Sequence, residues 1–115
     1  DFVYIHVEAP DECGHRGEME NKIKAIELID EKILTPLTAA LRKAGPFRIM
    51  VLPDHPTPLS TKTHASDPVP YLIYDSTQEQ CSGVSCFCEE TAKQTGNYVE
   101  AGPMLIEKLF SAIQA

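Results

Sequence analysis

Two apolar runs, residues 2–8 (FVYIHVE) and 47–53 (FRIMVLP), flank one stretch whose apolar residues return every three or four positions. The first run is apolar on both faces and rich in β-branched and aromatic residues, the composition of a strand buried inside an α/β sheet. From about Glu18 the pattern becomes helical, with Ile23, Ile26, Ile29 or Asp30, Ile33, Leu37 and Leu41 recurring three to four residues apart. Glu18 and Glu20 near its start and Arg42 and Lys43 near its end suit the helix dipole, and Gly45 and Pro46 stop it. Pro36 lies inside, where a missing N–H and a crowding ring must kink the helix or divide it. Strand, helix and strand in this order predict a parallel, right-handed βαβ unit. In such sheets, ligands gather beyond the carboxyl ends of the strands.

The rest of the chain reads as follows. Residues 9–17 (APDECGHRG) form a turn, and residues 69–75 (VPYLIYD) a third strand. The connection before that strand has no helical period, so its direction stays open. Residues 76–86 are a polar loop, CEETAKQTG is a short helix ending at Gly96, and residues 102–115 are an amphipathic helix with Pro103 in its first turn. A length of 115 residues supports one domain. The chain opens directly in an apolar run without Met, which reads as part of a longer chain.

A net charge of −7 argues against nucleic acid or an anionic membrane as partner, since neither attracts an acidic chain. No apolar run approaches the ~20 residues of a membrane span. No signal-peptide pattern is visible, and the α/β patterning points to a reducing cytoplasm with free thiols.

Three short clusters follow the apolar runs. Asp11 and His15 come after the first, Asp54 and His55 after the second, and His64 lies further along that same loop. Side by side at one sheet edge, two carboxylates and three imidazoles form a transition-metal site of the kind that suits manganese, zinc or iron. Any one of these residues alone is ordinary surface chemistry; their joint placement carries the reading. Five ligands exceed what one tetrahedral ion needs and fall short of two complete sites. His6, in the middle of the first run, reads as a core or supporting histidine. A competing site is offered by Cys81, Cys86 and Cys88, spaced C-x4-C-x-C, which could hold a structural zinc in a non-catalytic binding module. Cys13 lies apart from them.

The segments DFVYIHVEAPDECGHRGE, VLPDHPTPLSTKTHASDPVPYLIYD and YVEAGPMLIEKLF resemble the cofactor-independent phosphoglycerate mutases, in particular their archaeal-type branch within the alkaline phosphatase superfamily. The elements D-x-x-x-H, D-H and T-H-x-x-x-P-V-P occur in the family's order. The resemblance implies a partial three-layer α/β fold, with a mostly parallel sheet and flanking helices. Residues 1–115 would be the C-terminal segment of the metal-binding domain, with the N-terminal segment and the inserted substrate domain outside it. It implies two divalent ions, manganese first and zinc or magnesium as alternatives. Asp11, His15 and His64 would hold one ion, and Asp54 and His55 the other.

The family's nucleophilic serine has no match; Ser60 and Ser66 lack its context, so no catalytic residue is assigned. The implied reaction of the whole protein interconverts 3-phosphoglycerate and 2-phosphoglycerate through a phosphoserine, and this segment alone would be inactive. Arg16 and Lys62, beside the ligands, are anion-binding candidates or plain solvated cations. Other phosphomutases, phosphohydrolases or phosphotransferases of the superfamily are the alternatives with the same metal site. An uncovered sheet edge would favour self-association.

Overall fold

A computed structural model describes residues 1–111. The described residues form five α-helices and two strands, and the chain divides into two compact units. One unit comprises residues 1–40 and 55–67, the other residues 41–54 and 68 onward.

In the first unit, residues 2–8 take no regular structure, and Val3 and Tyr4 are 77% and 75% exposed. The expected strand is absent because strand composition only fits a residue to a pleated, half-buried surface, and a ladder must supply that surface. The sole sheet among the described residues is formed elsewhere. His6 is accordingly not a core residue: it is half-exposed, stacked on Tyr4 and 4.0 Å from the Glu8 carboxylate.

The expected turn is helix α1, Ala9–Arg16. Pro10 in its first turn, Asp11 and Glu12 beside it, and His15 and Arg16 in the last turn all favour a helix there. Gly17, at φ 68°, adopts the left-handed conformation that ends it, donating its N–H to the Gly14 carbonyl. Helix α2, Met19–Ile29, packs on α1 and continues through a π-helical turn, Asp30–Leu34, into α3, Thr35–Ala44. The π turn is the local answer to Pro36. Its missing N–H breaks the i→i−4 ladder, and the Thr35 N–H bonds back five residues to Asp30. Cys13, Gly14 and Thr57 are the buried residues of this unit.

In the second unit, β1 (Arg48–Val51) pairs antiparallel with β2 (Leu72–Asp75), Arg48 opposite Asp75. The parallel βαβ unit is therefore not formed among these residues. The Arg48 guanidinium bonds the Asp75 carboxylate at 2.6 Å and also donates to the Leu109 and Ser111 carbonyls. That ties α5 (Leu105–Phe110) to β1. Helix α4, Glu89–Gln94, lies where expected, with Gly96 at φ 75° beyond its end. A 3₁₀ turn, Gly102–Met104, carries Pro103 into α5. The last part of the expected terminal helix lies outside the described residues. No helix among them is long and apolar enough to cross a membrane.

A candidate metal centre

Asp11 and His15 stand four residues apart on α1, so one helix face carries both. The partners come from the segment 55–67. That loop closes on itself, with the Ala65 N–H donating to the Pro56 carbonyl at 3.0 Å and the Lys62 N–H to the Pro58 carbonyl at 2.8 Å. The closure brings His55 beside His64, with ring centroids 3.7 Å apart. His15 lies against His64 on the other side at 5.0 Å.

One oxygen is the focus. Oδ1 of Asp11 lies 3.1 Å from Nε2 of His64 and 3.2 Å from Nε2 of His15, and accepts the Thr57 hydroxyl at 2.5 Å. The Thr57 hydroxyl, and then the nearby imidazoles, hold the Asp11 carboxyl below its ordinary 3.8 against the opposing effect of desolvation. Asp11 is therefore a carboxylate at neutral pH.

Tautomers follow from the neighbours. Nδ1 of His15 lies 2.9 Å from the Lys62 carbonyl, which can only accept, so Nδ1 carries the proton. Lys62 itself sits at φ 54°, the one non-glycine in the left-handed region among the described residues. Nδ1 of His55 faces the Pro56 carbonyl at 3.2 Å and the Thr57 hydroxyl oxygen at 3.3 Å. The Thr57 proton is already given to Asp11, so Nδ1 of His55 is the donor there too. In the neutral form, Nε2 of each ring is then a lone pair. For His15 that lone pair faces a carboxylate oxygen at 3.2 Å, an arrangement that calls for a proton or a cation between them. Backbone carbonyls fixing the second ring nitrogen are the usual support of metal-binding histidines.

The donor set fits a divalent ion. One ligand atom each from Asp11, His55 and His64 lie within 4.8 Å of one another. Two ligands about 2.1 Å from a common ion stand at most ~4.2 Å apart, so small rotations suffice. Among the described residues these three are the group of that kind.

The sequence-predicted residues divide as follows. Asp11, His15, His55 and His64 come together in the first unit, whereas Asp54 belongs to the second. Arg16 pairs with Glu12 and Glu18 at the surface. Lys62 contributes its carbonyl. Cys13 is a buried residue of α1. Cys86 and Cys88 place their sulfurs 3.8 Å apart, and the four cysteines are free thiols. The Cys88 thiol is lowered, first by the Thr91 hydroxyl and then by the Thr91 backbone N–H. Thr57, 4% exposed, is the group that sequence reading passed over. Its neighbours Pro56 and Pro58 mark a stiff loop, but nothing in the spacing says what the hydroxyl meets.

Comparison with known proteins gives a consistent picture. The model of the metalloenzyme superfamily matches residues 1–112. A probable 2,3-bisphosphoglycerate-independent phosphoglycerate mutase of Geobacter sulfurreducens is 46% identical over 95% of this chain and 27% of its own length. The 2,3-bisphosphoglycerate-independent phosphoglycerate mutase of Methanosarcina mazei is 50% identical over 81% of this chain and 24% of its own. That of Methanothrix thermoacetophila is 43% identical over 96% and 28%. The chain thus spans about a quarter of the length of the curated relatives it matches. No solved structure matches it.

Proposed function

The chain belongs to the metalloenzyme superfamily, and from that premise we propose that it supplies the divalent-metal-binding segment of a 2,3-bisphosphoglycerate-independent phosphoglycerate mutase. The observation that carries this reading is the convergence of Asp11, His55 and His64 within 4.8 Å, with His15 on the same carboxylate oxygen. Asp11 supplies the anionic oxygen. His15, with Nδ1 turned to the Lys62 carbonyl, and His64 both present Nε2 to that oxygen. A divalent ion held there lowers the pKa of an attacking hydroxyl and neutralises charge on a phosphoryl group in transit.

The finer proposal assigns Asp11, His15 and His64 to one ion and His55 with Asp54 to a second, with manganese as the preferred metal. Residues 1–115 are then one segment of a phosphatase-like domain with a mostly parallel three-layer sheet. The nucleophilic serine and the glycerate-binding groups lie in other parts of that protein, so this segment alone is inactive. A sheet edge left uncovered by the rest of that protein would favour self-association. A cytoplasmic location fits the free thiols.

The test is a graft. This chain replaces the matching stretch of the Methanosarcina mazei relative, and the chimera is assayed with 3-phosphoglycerate and Mn²⁺. Formation of 2-phosphoglycerate, abolished by EDTA and by His64→Ala, supports the reading. A folded, metal-binding chimera that leaves 3-phosphoglycerate untouched overturns it in favour of another phosphoryl-transfer substrate.

A further inference from the structure

We infer that Thr57 is the positioning residue of the metal centre, the group that fixes the Asp11 carboxylate in the direction the imidazoles require. The inference rests on the metal reading above and goes beyond the ligands to what aims them. Three independent restraints meet at this residue. Its hydroxyl donates to Oδ1 of Asp11 at 2.5 Å. Its carbonyl accepts the Lys22 ammonium at 2.6 Å, anchoring the loop to α2. Its backbone lies against Gly14, where an added Cβ would stand 2.5 Å from the Thr57 carbonyl oxygen and 2.9 Å from its Cγ2.

The physics favours positioning over general packing. A β-branched side chain is stiff about χ1, so a clamped backbone also aims the hydroxyl. Thr57 is 4% exposed, which leaves water little room to replace that donor. The acceptor is the same oxygen that faces His15 and His64, so a swing of the carboxylate would lose both imidazoles together. Hydrogen bonds from outside the ligand set to a ligating carboxylate typically change metal affinity about 10–100-fold.

The test measures Mn²⁺ affinity of this chain by calorimetry for the wild type, Thr57→Val and Thr57→Ser, with circular dichroism as the folding control. The inference predicts a loss of about 10–100-fold in Thr57→Val, and affinity within about threefold of wild type in Thr57→Ser, which keeps the hydroxyl. Should Thr57→Val not fold, Lys22→Met releases the other anchor and is expected to weaken binding several-fold. A folded Thr57→Val that binds like wild type overturns the inference while leaving the metal site standing, as does unchanged affinity in Lys22→Met. Equal losses in the Ser and Val variants reduce Thr57 to a packing residue. A wild-type chain that binds no Mn²⁺ overturns the metal reading, and this inference with it.

Discussion

Nε2 of His64 lies 3.1 Å from Oδ1 of Asp11, joining a loop between two strands to a helix near the start of the chain. With only protein in the site, that distance is an ion pair or a hydrogen bond. With a divalent ion it is the ordinary separation of two ligands on one centre. Anything that binds the folded state alone stabilises it, by about 2.7 kcal/mol at an ion concentration 100 times Kd. Mn²⁺ is therefore expected to raise the melting temperature by several degrees, reversibly with EDTA. Asp11→Asn should abolish the rise, since it removes the anionic oxygen that the imidazoles share.

Gly14 gives a test that needs no ion. In an exposed helix, Gly→Ala is stabilising by up to about 1 kcal/mol. Here the new Cβ would meet the backbone oxygen of Thr57 at 2.5 Å, and backbone yields less than a side-chain tip. Gly14→Ala is expected to destabilise by about 1–3 kcal/mol, read by urea unfolding. Gly45→Ala, with nothing within 4 Å of its Cβ, separates this clash from backbone strain, because its own φ of 138° is the only cost there.

What the sequence revealed and what it withheld divide along a physical line. Local chemistry was legible: the period of α2, the proline that forces the π turn, Gly96 closing α4, and the i,i+4 spacing of Asp11 and His15. Long-range hydrogen bonding was not. Residues 47–53 and 69–75 were recognisable as strand material, yet the pairing of Arg48 with Asp75 sets an antiparallel direction that no local signal encodes. Residues 2–8 have strand composition without a ladder in this structure. Helix α1 could have been read from Pro10, the acidic first turn, the basic last turn and Gly17; its polarity and Gly14 within it disguised it as a turn. Thr57 was invisible for another reason: its meaning lies wholly in the partners that folding brings to it.

Asp75 provides the pH dependence. The Thr77 hydroxyl, then Arg48, then the Thr77 N–H bond its carboxylate and lower it from 3.8 to about 2. A lowered carboxylate contributes stability that is fully present above the unfolded value and is lost as pH falls through the folded one. The second unit should thus hold a constant melting temperature down to about pH 4 and weaken between pH 4 and pH 2. Asp75→Asn should be less stable at neutral pH and flatter across that window, measured by thermal denaturation at stepped pH.

The most direct measurement is calorimetric titration of the chain with Mn²⁺, beside His64→Ala and Cys81→Ser. The structure predicts binding by the wild type and by Cys81→Ser, and its loss in His64→Ala, because His64 supplies one of the three converging ligand atoms. Binding that survives His64→Ala but needs Cys81 would contradict the account and place the metal among the cysteines instead.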